Sequence, residues 1–357
     1  MIRIGKPSQW RTAQAARLLM AGLTTTAGLV LTACGGGGDS ASASASASSS
    51  SSTACSTGNR SGLVAVGLYG DVGTASVTGG GAQISTNFGT STARTLIADS
   101  AAPGVCADAS GGATMRTGFV PGGATGMTHA TIGAIDQPVF LLSGSTLATN
   151  LGGLAGTYNL LRYQKDTPTA GGTATTRSSY ATMVIDNSGN WYFCKNVGSC
   201  SSVTATGSGT LNLQSGSTDR FDLVANSIRR GTVFLAGTGG ARVLAVGEDD
   251  QGDPNSRVRG LWIGAPQAAW AANDGNYTLN TTDFGKDSLR IAGTVITANS
   301  TIAAAANTPL QGLLTATSTG GDNNYIIQSS AGLMVTANNT GNNFGTGPGY
   351  FSFGVKP

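Results

Sequence analysis

Apolar residues in this chain come mostly in short runs broken by Gly, Asn, Asp and Ser. Val139-Phe140-Leu141-Leu142 and Leu261-Trp262-Ile263 are runs too short for a helix and rich in strand-forming residues. Three segments read as successive hairpins. Ala181–Ile185 and Trp191–Cys194 flank the turn Asp186-Asn187-Ser188-Gly189-Asn190. Thr210–Leu213 and Arg220–Val224 flank residues 214–219, and Val233–Ala236 and Arg242–Val246 flank residues 237–241. Further on, Thr315–Thr317 and Tyr325–Ile327 flank residues 318–324. Residues 63–139 are less regular: an opening strand, Leu63–Tyr69, gives way to short strands and long loops around glycines 79–81, 111–112 and 122–123. A single short helix is expected near Pro266–Ala272, and His129 is expected in a loop or at the surface.

The fold class is therefore all-β, with antiparallel meanders closing as a barrel or packing as a sandwich. Two related units are expected, 140–264 and 265–357. Gly156-Thr157-Tyr158-Asn159-Leu160 returns as Gly275-Asn276-Tyr277-Thr278-Leu279, and Arg242–Glu248 is paralleled by Gly332–Asn338. The Gly-x-Tyr-x-Leu strand resembles the first strand of lipocalin-like and other small antiparallel barrels of outer-membrane lipoproteins. It lacks the tryptophan of the lipocalins. The resemblance implies a barrel rather than a sandwich.

At the N-terminus the pattern is different. Arg3, Lys6, Arg11 and Arg17 precede an apolar run, Leu18–Leu31, that ends in Leu31-Thr32-Ala33-Cys34. The run is shorter than the roughly 20 apolar residues that span a bilayer. This segment resembles the lipobox signal of bacterial lipoproteins. The resemblance implies a signal peptide over 1–33, lipidation of Cys34 and a mature chain held at the membrane by lipid. Gly35 in place of aspartate after the cysteine implies the outer rather than the inner membrane. Residues 34–62, rich in Gly, Ser and Ala, read as a flexible linker. The expected organisation is thus 1–33, 34–62, an irregular β region over 63–139, and the two β units.

Charge alters the picture little. Lys+Arg number 20 and Asp+Glu 17, but four of the cations lie in the signal, which leaves 16 against 17. A near-neutral mature chain gives no argument for nucleic acid. Besides Cys34 there are four cysteines, an even number that suggests disulfides in an exported protein. Cys194 and Cys200 are expected to pair across a short loop, and Cys55 to pair with Cys106. No clustered set of metal ligands exists, so neither metal nor other cofactor is expected.

His129 is the only histidine, and no nucleophile elbow stands out, so a serine-hydrolase set is not expected. The acid cluster Glu248–Asn255 reads as a solvated turn rather than a calcium loop. Arg220, Arg229, Arg230, Arg242, Arg257 and Arg259 either clamp an anion or face outward from strands. Trp191, Tyr192, Trp262 and Trp270 either line a cavity or fill the core. Trp191, Trp262, Arg257 and Arg259 are the candidate binding residues. The expectation is a lipid-anchored, non-catalytic envelope protein whose β domain binds a ligand or an envelope or host protein. A structural or assembly lipoprotein, and an aspartate-dependent hydrolase, are the alternatives.

Overall fold

The computed structural model describes residues 55, 57–110, 115–195, 199–282, 285–298, 301–317, 323–339 and 349–357. The expected signal peptide, Cys34 and most of the expected linker lie outside the described residues. The described residues form one compact unit.

The protein is all-β and antiparallel. Strands β1 (Arg60–Gly67), β2 (Val72–Thr78), β3 (Gln83–Asn87), β4 (Ser91–Ala98), β5 (Cys106–Asp108), β6 (Arg116–Phe119), β7 (Thr125–Ile132) and β8 (Ile135–Ser143) form a closed barrel in chain order. It closes where β1 meets β8, from Leu63 opposite Ser143 to Gly67 opposite Val139. A second closed barrel follows: β9 (Gly156–Pro168), β10 (Thr175–Ile185), β11 (Asn190–Lys195), β12 (Gly207–Leu213), β13 (Phe221–Ala225), β14 (Ile228–Ala236), β15 (Val243–Asp250) and β16 (Ser256–Pro266). Here the closing pair, β9 with β16, runs from Tyr158 opposite Pro266 to Pro168 opposite Ser256.

The third sheet contains β17 (Gly275–Thr281), β18 (Lys286–Ala292), β19 (Val295–Thr297), β20 (Thr301–Ala303), β21 (Ala305–Ala306), β22 (Leu314–Thr317), β23 (Asn323–Gln328), β24 (Leu333–Asn339) and β25 (Tyr350–Val355). It is joined by β17 to β25, and its two edges are β20 and β21. Those edges are consecutive in the chain with only Ala304 between them. One split strand therefore meets β19 on one side and β22 on the other, and the sheet curls almost fully round.

Side-chain alternation explains how the barrels fit together. Along a strand, successive residues face opposite sides. In β8, Val139 and Leu141 point into the first barrel, while Phe140 and Leu142 join a core shared between barrels. In β15, Leu244 and Val246 fill the second barrel, whereas Val243 and Ala245 face the shared core. Met334 enters the third barrel, and its neighbours Leu333 and Val335 face the shared core. Aromatic rings stitch this core: Phe140 meets Phe353 edge-on at 5.7 Å between centroids, and Tyr180 lies 4.4 Å from Tyr325. Each such buried side chain contributes about 1.5–3 kcal/mol.

The barrels also dock through backbone. The turn after β1 lays Gly70 against the Glu248 and Gly260 carbonyls of the second barrel, with φ +80°. Only glycine combines that backbone angle with so close an approach.

Four expectations are corrected. The stretch expected as an irregular β region is the strands of the first barrel; its glycine turns adopt positive φ, Gly79–Gly81 joining β2 to β3 and Gly122–Gly123 joining the four-residue β6 to β7. The run at 139–142, expected to open a unit at residue 140, closes that first barrel. No helix forms at Pro266–Ala272: Pro266 ends β16, and the Gln267 N–H continues its ladder by donating to the Thr157 carbonyl at 2.8 Å. His129 is 1% exposed within β7, where both faces of the strand are covered and every residue from Thr125 to Ala130 is buried.

The read hairpins form β10–β11, β12–β13, β14–β15 and β22–β23. Cys55 is bonded to Cys106 and Cys194 to Cys200, with Cα separations of 5.8 Å and 5.5 Å.

Replacing Gly70 by Ala is expected to cost about 3 kcal/mol, combining the left-handed penalty with the clash. Gly122→Ala, at φ +77° with nothing within 4 Å, is expected to cost about 1 kcal/mol. Urea denaturation measures both, and equal losses would contradict the docking role of Gly70.

Candidate functional site

The interior of the second barrel is apolar at one end and polar at the other. Tyr158 and Leu160 of β9 point inward, and the same alternation continues with Arg162 and Gln164. Opposite them, β15 brings in Glu248 after Leu244 and Val246. Glu248, Arg162 and Gln164 are 5%, 6% and 4% exposed.

These groups complete one another. The Gln164 amide oxygen accepts from Arg162 Nη2 at 2.8 Å and from Arg177 Nε at 3.3 Å. Its nitrogen donates to Glu248 Oε1 at 2.9 Å and Oε2 at 2.8 Å. Trp262 Nε1 donates to Glu248 Oε2 at 2.8 Å, and Arg162 Nε donates to Ser179 Oγ at 3.2 Å. The Arg162 guanidinium lies 4.5 Å from the Phe193 ring centroid and 4.9 Å from that of Trp262. An amide thus bridges two buried opposite charges, with its dipole oriented to suit both. Burial pushes the Glu248 carboxyl up, against the lowering effects of Arg162, Trp262 and Gln164. Burial brings Arg162 down to about 10, against the raising effect of Glu248.

Of the expected binding residues, Trp191 and Trp262 both lie inside this barrel, but only Trp262 joins the polar network. Trp191 Nε1 donates to the Thr210 and Val224 carbonyls at 3.3 Å and 3.2 Å. Arg257 and Arg259 are on the outer wall of the same barrel. Arg257 clamps Asp249 with bonds of 2.8 Å and 2.9 Å, and Arg259 pairs with Asp71 of the first barrel. The four therefore do not form one site. Glu248 is no part of a solvated turn: β15 continues through Asp250, and alternation sends Glu248 inward while Asp249 stays outside with Arg257.

Three of the other four arginines are also engaged. Arg229 pairs with Asp222 at 2.7 Å, Arg230 pairs with Asp250, and Arg242 donates to the Ala155 carbonyl at 3.1 Å.

In the first barrel, Arg94 bridges two carboxylates, Asp108 at 2.9 Å and Asp136 at 2.8 Å, and His129 Nδ1 meets Asp136 at 3.1 Å. Burial opposes ionisation of both aspartates. Hydrogen bonds from Ser110 and Arg94 nonetheless hold Asp108 below its ordinary value, and the contacts to His129 and Arg94 do the same for Asp136. Arg94 thus joins both carboxylates, and the cluster is an ion-pair network.

Two clefts open where barrels meet. One, of about 280 Å³, lies between the first and second barrels and is lined by Tyr69, Asp71, Ile132, Ile135, Lys165 and Arg259 among others. A second, of about 420 Å³, is uncharged and is formed by Pro121, Gly122, Thr146, Leu147, Gly237 and their neighbours.

The fold and these surfaces define a three-barrel β protein with filled lumens and clefts at the seams. No protein-family model matches the chain, and no curated protein matches it. Among solved structures, the vaccine antigen transferrin binding protein B from Haemophilus parasuis is similar over 80% of this chain, at 9% identity and a TM-score of 0.25. The match spans 65% of that protein's length.

The Glu248 carboxyl binds its proton more tightly when folded, so its contribution is full at acid pH and is lost as pH rises above the ordinary 4.5. Relative to Glu248→Gln, the wild-type protein should therefore lose stability as pH rises from 4.5. Urea unfolding at a series of pH values measures this. A difference that does not vary with pH would contradict the raised carboxyl.

Proposed function

We propose that the chain is a lipid-anchored protein of the bacterial cell envelope that binds a protein partner without catalysing a reaction. The observation that carries the binding part is the filled lumen. Trp191, Phe193, Trp262, Arg162 and Glu248 occupy the second barrel, and Tyr277, Leu279, Ile326 and Met334 occupy the third. A lipocalin-type cavity for a small ligand has no room there. Recognition then falls to the outer walls, seams and loops. Val203, 91% exposed in the loop after the Cys194–Cys200 bond, presents an apolar side chain on that outer surface. The anchoring part rests on Leu31-Thr32-Ala33-Cys34 and on the Gly/Ser/Ala stretch that follows. Gly35 after the cysteine supports the outer membrane.

Two measurements test this reading. Cells fed radiolabelled palmitate should label the wild-type chain and not Cys34→Ser, and protease added to intact cells should remove a C-terminal epitope tag if the domain faces outward. Label on both chains would sink the lipid anchor at Cys34. For the binding part, the purified full-length protein on beads should retain a discrete protein from envelope or host extracts that the heat-unfolded protein does not. Retention of nothing would count against partner binding.

A further inference from the structure

The cleft between the first two barrels holds an unusual charge arrangement. In the closing pair of the second barrel, Lys165 of β9 lies directly opposite Arg259 of β16 on the outer wall. Like charges directly opposed across strands are destabilising, so sheet formation gives no reason for the pairing. Arg259 is compensated by Asp71, which the first barrel supplies, and its Nε lies 3.9 Å from Asp249. Asp249 is itself clamped by Arg257. Lys165 is different. Among the described residues no carboxylate forms an ion pair with it; its Nζ rests 4.9 Å from the centroid of the Tyr69 ring.

Lys165, Arg259 and Asp71 line one cleft of about 280 Å³, which leaves it one positive charge in surplus. Its opposite side is aliphatic. Ile132 and Ile135 come from the hairpin of β7 and β8, and Ile135 is 41% exposed at the rim.

We propose that this cleft receives an acidic side chain of a protein partner, with an aliphatic neighbour of that residue packing on Ile132 and Ile135. The inference rests on the partner-binding reading above and names the partner's chemistry. Lys165 supplies the charge that meets the carboxylate, and Tyr69 holds the ammonium in place by a cation–π contact. A single surplus charge matches a monoanion; a phosphate dianion would bring a second negative charge with nothing left to meet it. The cleft's mix of tyrosine, arginine and exposed isoleucine is that of a protein interface.

The test uses purified full-length protein at low ionic strength and two pentapeptides that carry fluorescein on the N-terminal nitrogen, Gly-Ile-Asp-Leu-Gly amide and its Asn counterpart, followed by anisotropy. The Asp peptide is expected to bind about fivefold tighter than the Asn peptide, the size of one half-exposed ion pair. Lys165→Gln should erase the difference and Lys165→Arg restore it. Lys165→Gln should also leave thermal stability unchanged or slightly raised, since it removes an opposed like charge; this separates the effect from misfolding. Equal binding of the two peptides, or a difference that survives Lys165→Gln, would overturn the proposal. In that case retention of a partner on the beads, equal for wild type and Lys165→Gln, would leave partner binding standing and place it elsewhere on the surface. Retention of nothing by either would remove both.

Discussion

The structure depends on sheet walls that are buried on both faces. A strand such as Val139-Phe140-Leu141-Leu142 sends alternate residues into its own barrel and into the core shared with its neighbours. Unbroken apolar runs are usual in parallel sheets covered by helices. Here antiparallel barrels produce the same runs because each covers the others. A single barrel removed from the assembly would expose the outer halves of those runs, Phe140, Leu142, Val243 and Ala245 among them, to water. The three barrels therefore stabilise one another in a way that short linkers between independent domains would not.

Filling the lumens has a second effect. Once rings and aliphatic side chains close the inside of the second barrel, any polar group left there must find partners within it. Arg162 and Glu248 do so through the amide of Gln164, which accepts from one and donates to the other. Such a set fixes which residues face inward along β9 and β15, because a one-residue slip would strand a charge in the shared apolar core. The interior chemistry thus sets register, and chemistry directed at other molecules is displaced to the outer wall and the seams.

Much of the strand framework was legible from residues. The turn Asp186–Asn190 and the runs on either side of it carry their hairpin openly: the Asp186 carboxylate accepts from the Ser188 and Asn190 N–H groups, and Gly189 takes φ +84°. The first barrel was harder to read. β4 buries only Leu96 fully, so its alternation is nearly invisible, and its neighbours are linked by glycine turns that read as loops. The site was less legible still. Trp262 was singled out as an aromatic on a strand, but Glu248 was hidden among acids that do face water. Arg162 and Gln164 did leave a trace, since they share the parity of Tyr158 and Leu160. Reading that trace requires knowing that the inward face is sealed. The pairing of Asp71 with Arg259 joins residues 188 positions apart, and no local pattern encodes it. The two strands that open with Gly-x-Tyr-x-Leu do share a detail deeper than their spelling. Tyr158 donates its hydroxyl to the Leu154 carbonyl and Tyr277 donates to that of Asn273, each four residues back.

The bond between Cys55 and Cys106 has a mechanical meaning. A pull applied through the chain that precedes Cys55 passes covalently to Cys106, because the bond spans 51 residues. Strands β1 to β4 lie inside the loop that this bond closes and carry none of the tension along their backbone. The seam between β1 and β8, which closes the first barrel and would otherwise be the first to be unzipped by force from the N-terminal side, is thereby shielded. Drag on the domain is instead delivered to β5, whose Cys106 is buried within the barrel.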